Sequence, residues 1–283
     1  MAVVKKSAGS YTFKIVAYAV CILLTVLSIF PFIIMLVNAT RSSAQIQQHA
    51  LSLIPGHNLK MNWSYFASQS FNPFTGFKNS IIVACCATLC TVYFSTMTAF
   101  ALVAYEWKLR KPFFTFIMAV LMIPAQVSSI GFYNMMYKWH WTNSLLPLIL
   151  PAIAAPTVVF FMRQYMIPSL PMEILQSARI DGAGEFRIFN QIVLPMMKPA
   201  MATQAIFSFV TSWNSLFMPS ILNTKTEKFT MPQMVALLNG DSYKTEYGTV
   251  YLGLFLTVLP ILVAYFFLSK YIIEGVALGG VKG

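Results

Sequence analysis

The sequence predicts an all-α integral membrane protein of about six transmembrane helices, and three observations carry that fold class. Only 10% of the 283 residues are charged and 58% are hydrophobic, whereas a soluble domain carries about 25% charged residues. Six uncharged stretches reach the roughly 20 residues that a helix needs to cross a hydrocarbon layer about 30 Å thick. No segment between them is both polar enough and long enough to be an independent soluble module, so residues 1–283 read as a single transmembrane domain.

The first stretch, 15–37, follows Lys5, Lys6 and Lys14 and so has the outline of a secretion signal. Its uncharged run extends from Ile15 to Thr40, beyond the roughly 7–15 residues of a signal core, and no small-x-small cleavage site follows. An uncleaved first helix is expected. A polar loop from Arg41 to Lys78 comes next, with turn signals at Pro55-Gly56 and Asn72-Pro73. The other spans are expected at 80–104, 113–136, 142–162, 200–222 and 249–269.

The formal charge of +11 is concentrated in loops that flank these spans, which points to membrane orientation rather than nucleic acid. With the N-terminus inside, twelve Lys and Arg lie on the inner side and seven on the outer, and the cluster Lys108, Arg110 and Lys111 sits beside a span end. Both termini are expected in the cytoplasm of a multi-pass chain. Cys21, Cys85, Cys86 and Cys90 lie in apolar stretches without C-x-x-C pairs, and His49, His57 and His140 fall in outer loops. Reduced packing cysteines, no metal site and no cofactor in this chain are expected.

No Asp, Glu, Lys, Arg or His falls inside any of the six spans. Proton- or voltage-coupled devices keep such groups at membrane depth despite their cost, so proton coupling is disfavoured. The chain also has no G-x-x-x-x-G-K-[ST] phosphate loop. If transport is driven, the energy enters from a partner protein.

The long inner segment 164–199 is the most charged part of the chain. Pro168 and Pro171 are expected to interrupt the preceding helix, Met172 to Ile180 to form about two helical turns, and Asp181-Gly182-Ala183-Gly184 to break them. A second short helix is expected from Glu185 to Leu194, ending at Pro195, with Phe186, Phe189 and Val193 on one apolar face. Two short helices joined by a glycine turn make a rigid elbow that can pass force from a soluble motor to a membrane helix. The same geometry also describes an amphipathic surface hairpin with no partner.

The run Gln176-Ser177-Ala178-Arg179-Ile180-Asp181-Gly182, followed after nine residues by Ile192-Val193-Leu194-Pro195, resembles the EAA-x3-G-x9-I-x-L-P signature of ABC importer permeases. Gln176 stands where that family usually has Glu and Ser177 where it usually has Ala; Glu173 lies one turn earlier. Trp213-Asn214, Phe160-Phe161-Met162-Arg163-Gln164 and the ending from Tyr271 to Gly283 resemble the carbohydrate branch, in particular its MalG-type subunit.

The resemblance implies the type I importer permease fold and a membrane subunit of an ATP-driven sugar or oligosaccharide importer, forming half of the pore by alternating access. The implied partners are a MalF-type second permease, an external solute-binding protein, membrane lipid and two ATPases that bind ATP and Mg. It also implies that Glu173, Gln176, Ser177, Ala178, Asp181, Gly182, Ala183, Ile192, Leu194 and Pro195 form the ATPase-coupling segment. Gly280 and Lys282 of the tail would extend toward the ATPases, and Asn239, Gly240, Asp241, Ser242 and Tyr243 would meet the binding protein.

Polar residues in or near spans include Gln126, Ser128, Ser129, Asn134, Ser208, Ser212, Asn214 and Ser215. Such groups bond neighbouring helices or line a sugar pathway, and Gln126, Ser212, Trp213 and Asn214 are the pathway candidates, because sugars need hydroxyl and amide partners beside aromatic faces. An ATP-independent channel or secondary carrier is the alternative function. A membrane-embedded enzyme lacks any cluster of nucleophile, base and metal ligands.

Overall fold

Long helices dominate because a chain this apolar has to satisfy its backbone groups internally. A computed structural model describes the backbone of residues 8–68, 72–238 and 245–280, with side chains described for 13–68, 72–124, 126–238 and 245–267. Every regular element among them is helical. In order they are α1 Ala8–Ala39, α2 Ser43–Gln48, α3 Leu59–Ala67, α4 Pro73–Ala104, α5 Arg110–Val120, α6 Ala125–Lys138 and α7 Leu146–Ile149. Then follow α8 Pro156–Ser169, α9 Met172–Ile180, α10 Glu185–Met196, α11 Lys198–Trp213, α12 Phe217–Leu222, α13 Met231–Leu238 and α14 Tyr247–Gly280. Short 3-10 turns lie at Leu150–Ile153 and Thr226–Lys228.

The chain divides into two compact units, residues 1–67 with 237–256, and residues 68–236 with 257–283. In the first, most of α1 is exposed and only its end, with Ile34, Val37 and Ala39, is buried. The Arg41 guanidinium is buried there, donating to Asn38 Oδ1 and to the carbonyls of Gln45 and His49 at 2.7–3.1 Å. Asn62 Nδ2 donates to the carbonyls of Ala39 and Arg41. A Cβ on Gly248 would stand 2.3 Å from the Arg41 carbonyl and 2.4 Å from Asn62 Nδ2, so only glycine fits where α14 begins.

In the second unit α4 packs against α8 and α11. Small buried residues of α4, among them Ala84, Ala87, Ser95, Thr96 and Ala99, let these helices approach closely. Below them a core of Phe100, Met162, Met166, Leu175, Ile188, Phe189, Val193 and Met197 fixes α9 and α10 on the ends of α4 and α8.

Four helices among the described residues are long and apolar enough to cross a membrane: Phe13–Ala39, Pro73–Ala104, Leu146–Ser169 and Tyr247–Phe267. A fifth arises if α10 and α11, bent by 81°, count as one broken span. Three of the six expected stretches are not single α-helices, the 142–162 stretch being α7, a 3-10 turn and the start of α8. The 113–136 stretch is α5 and α6, separated at residues 121–124, because Pro124 has no N–H to give and pushes Ile123 out of helical geometry. The 200–222 stretch is α11 and α12, parted at Asn214–Leu216, where Pro219 would collide with the Ser215 carbonyl of a continuous helix.

Three local expectations are corrected. Pro168 does not end α8, which runs one residue further. Pro195 does not end α10, because a π turn over Phe189–Val193 widens the helix just before the proline. The real bend comes at Met197, where Pro199 cannot follow a straight path past the Pro195 carbonyl.

Candidate functional site: an elbow and a cavity

The elbow begins with α9, which occupies the residues expected for it and stops in a left-handed glycine turn. Gly182 has φ 80°. Its N–H donates to the Arg179 carbonyl at 3.0 Å and the Ala183 N–H to the Ala178 carbonyl at 2.9 Å, the Schellman pattern that closes a helix on glycine. Across that turn Arg179 makes two bonds to the Glu185 carboxylate, at 2.7 and 3.2 Å, so α9 and α10 are clamped together. Tyr105, just past the end of α4, donates its hydroxyl to the same carboxylate and places its ring 5.3 Å from the Arg179 guanidinium carbon. Burial, then the hydrogen bond to Glu185, pushes the Tyr105 phenol up to about 12, so it remains the protonated donor.

The signature residues split between two faces. Glu173, Gln176, Ser177, Asp181, Gly182 and Pro195 are exposed, while Ala178, Ala183, Ile192 and Leu194 are half-buried against the core. Ile180 is 86% exposed and Phe186 71% exposed, so Phe186 does not share the apolar face of Phe189 and Val193. Ile188 takes the third buried place on α10, and Phe186 points outward with Ile180. Arg179, Glu185 and Tyr105 escaped the sequence reading, which had no means of pairing charges across a turn with an aromatic residue 80 positions away.

Above the elbow lies a cavity of about 820 Å³. Its wall is built from α4 through Ser80, Val83, Ala87 and Thr91, from α6 through Ser128 and Ser129, from the segment 147–158, and from α11 through Gln204, Phe207, Ser208, Thr211 and Ser212. Ser215 and Thr230 complete its polar lining, and among the described residues no charged side chain lines it. Of the four pathway candidates the structure brings only Ser212 to this wall. Trp213 is 1% exposed, stacks on Phe209, meets Phe77 edge-on and donates Nε1–H to the Thr257 carbonyl at 2.9 Å, which makes it a packing residue. Gln126 and Asn214 are exposed away from the lining. Gln204, Thr211, Ser80 and Thr230 are lining residues that sequence reasoning missed; the spacing Gln204, Ser208, Thr211 on one helical face was the available signal.

Residues 239–243, expected to meet a binding protein, lie outside the described residues, as does Lys282, while α14 reaches Gly280. Among the described residues no three His, Cys, Asp or Glu side chains gather as a metal would require.

Residues 91–276, which include the elbow and most of the cavity wall, match the family described as binding-protein-dependent transport system inner membrane component. The chain belongs to this family. It is thus a multi-pass membrane component of a transport system rather than an enzyme. The arabinooligosaccharides transport system permease protein AraQ of Halalkalibacterium halodurans is 33% identical over 259 residues, 91% of this chain and 92% of that protein. The lactose transport system permease protein LacG of Rhizobium radiobacter is 31% identical over 268 residues, 95% of this chain and 96% of that protein. A crystal structure of a bacterial ABC transporter involved in import of the acidic polysaccharide alginate superposes with a TM-score of 0.76 at 20% identity, covering 94% of this chain and 98% of the other. The fold of this family member is accordingly that of an ABC importer permease.

Proposed function

We propose that this chain is one of two membrane subunits of an ATP-driven importer of sugars or oligosaccharides, opening its half of the pore alternately to either side. One observation carries the mechanism: the helices that line the cavity are the helices that hold the elbow. Ser80, Val83, Ala87 and Thr91 of α4 face the cavity, and further along α4 and just past its end Tyr93, Phe100 and Tyr105 hold Asn190, Phe189 and Glu185 of α10. On the other side α10 runs into α11 through the bend at Met197. A push on the elbow therefore tilts both walls of the cavity, and a rigid elbow does so without dissipating the stroke.

The exposed face of Glu173, Gln176, Ser177, Ile180, Asp181 and Phe186 is the surface offered to an ATPase. On this reading the elbow and both termini lie in the cytoplasm of a bacterial cell whose inner membrane holds the complex. The remaining partners are a MalF-type second permease, a pair of ATPases that bind the ATP and Mg, and an external solute-binding protein met by the segment 239–243. The tail with Gly280 and Lys282 reaches toward the ATPases. The sugar names and coverage of the two relatives, together with the elbow signature, support this reading.

Reconstitution tests it. ATP hydrolysis stimulated by sugar and binding protein is expected only when this chain is joined by the second permease and the ATPases. Sugar flux through this chain alone would instead install the ATP-independent channel or carrier. The same measurement on a chain ending at Gly275 is expected to show assembly with weakened stimulation; full stimulation would remove the tail from the coupling path.

A further inference from the structure

The polar groups of the cavity fall into two kinds. Thr91 donates to the Ala152 carbonyl, Ser129 to the Gln126 carbonyl, and Ser80 Oγ accepts the Met231 N–H. These are satisfied by the fold. Gln204 is different: it is 7% exposed, lines the cavity, and its amide has no hydrogen-bond partner among the described residues. Thr230 is 4% exposed and borders the same cavity, but its Oγ1 is closed off from it and is without a partner among the described residues. A buried amide left unbonded costs free energy, and one that opens on a cavity can recover that cost from a ligand.

Ser208 and Thr211 follow Gln204 at i+4 and i+7, on the same face of α11, and both line the cavity. The wall thus presents one carboxamide and a row of hydroxyls, each both donor and acceptor, with apolar Phe207 and Val83 between them. That is the complement of a sugar's hydroxyl edges and C–H faces. A carboxylate or phosphate would enter without a cation to compensate it, at a cost the hydroxyls cannot offset.

We infer that Gln204, with Ser208 and Thr211, is a sugar-contacting wall contributed by this chain itself, and that it selects uncharged oligosaccharides against anionic ones; the inference rests on the sugar-import reading. Gln204 is the principal contact, because its carboxamide carries two N–H donors and a carbonyl acceptor where each hydroxyl carries a single donor. Cavities of this volume lie in the range that encloses small ligands, about 300–1,000 Å³.

The test uses the complete importer in proteoliposomes, with ATP-driven uptake measured over a concentration series for arabinotriose, lactose, maltotriose, N,N′-diacetylchitobiose and the anionic trimannuronate. At least one neutral probe is expected to be carried, with trimannuronate at the background without ATP. For the carried sugar, Gln204→Leu is expected to raise KM about tenfold with a smaller change in maximal rate, and Thr211→Val to raise it about threefold. Gln204→Asn is expected to fall between Gln204→Leu and the unaltered chain. Thr98→Val, which removes an exposed hydroxyl outside the cavity, is expected to change neither parameter. Unaltered KM in both Gln204→Leu and Thr211→Val would overturn the wall, and trimannuronate carried as well as the neutral sugars would overturn the selectivity. Uptake of none of the probes would overturn the sugar-import reading as well.

Discussion

The elbow and the cavity lie on the same helices and are built by opposite rules. In the elbow Leu175, Ile188 and Val193 are completely buried, Arg179 and Glu185 are paired at 2.7 Å, and the turn closes its own backbone bonds. In the cavity Gln204 lines the wall with no hydrogen-bond partner among the described residues, and Thr230 Oγ1 is buried unbonded behind it. A satisfied, close-packed region moves as a body, because interiors packed like crystals transmit displacement. An unsatisfied one gives up stability for the ability to bind. The contrast separates the part that carries force from the part that meets the cargo.

The sharpest way to break the comparison is to loosen the elbow. Leu175→Ala, at a fully buried position, is expected to cost about 2–5 kcal/mol and to abolish coupling, read as sugar-stimulated ATP hydrolysis and as the melting temperature of the purified complex. Intact coupling would mean that the elbow core is not the transmitter. Gly182→Val is expected to cost about 1–3 kcal/mol, since a β-branched residue is held at φ 80° although nothing stands within 4 Å of its Cβ. Transport and ATPase association should fall together; if association alone survives, the turn sets the stroke and not the docking.

In the cavity the sign should reverse. Thr230→Val removes a buried hydroxyl without a partner among the described residues and is expected to raise stability by about 1 kcal/mol, seen as a higher melting temperature. A loss of stability there would show that Thr230 belongs to the packed scaffold. Glu185→Gln is expected to cost only about 0.2–1 kcal/mol, because its ion pair with Arg179 is 46% exposed on the carboxylate side. The useful reading is salt: the unaltered elbow should lose a little stability between low and high ionic strength, and the Glu185→Gln form should not. Smallest of all is Gln176→Glu, at an exposed position, expected to leave coupling near its starting rate, with Gln176→Lys measurably weaker in ATPase pull-down. Equal association by all three forms would take Gln176 out of the interface.

Much of the elbow was legible because its determinants are local. Met172–Ile180 and the break at Gly182 follow from proline and glycine chemistry and from the signature spacing. The placing of Phe186 failed for a physical reason: the buried face is centred on Ile188 and Phe189, and at 3.6 residues per turn that centre leaves Phe186 off to the solvent side. Trp213 misled as a pathway candidate because an indole beside an amide suits a sugar site and a helix interface equally well, and only the Thr257 carbonyl at 2.9 Å distinguishes them. Gln204 was passed over because a lone amide in an apolar stretch carries no mark of where it points.

Composition and the lengths of uncharged runs determined by themselves that the chain is helical and membrane-spanning, since a hydrocarbon solvent leaves the backbone no other way to satisfy its hydrogen bonds. The elbow signature likewise determined the family, because a glycine turn at a fixed distance from a proline is a local requirement. Tertiary structure alone decided which polar groups are spent on packing and which are left facing the cavity. That choice depends on the rotation of α11 against α4 and on residues as distant as Ser80 and Thr230, and no pattern along a single helix encodes the angle between two.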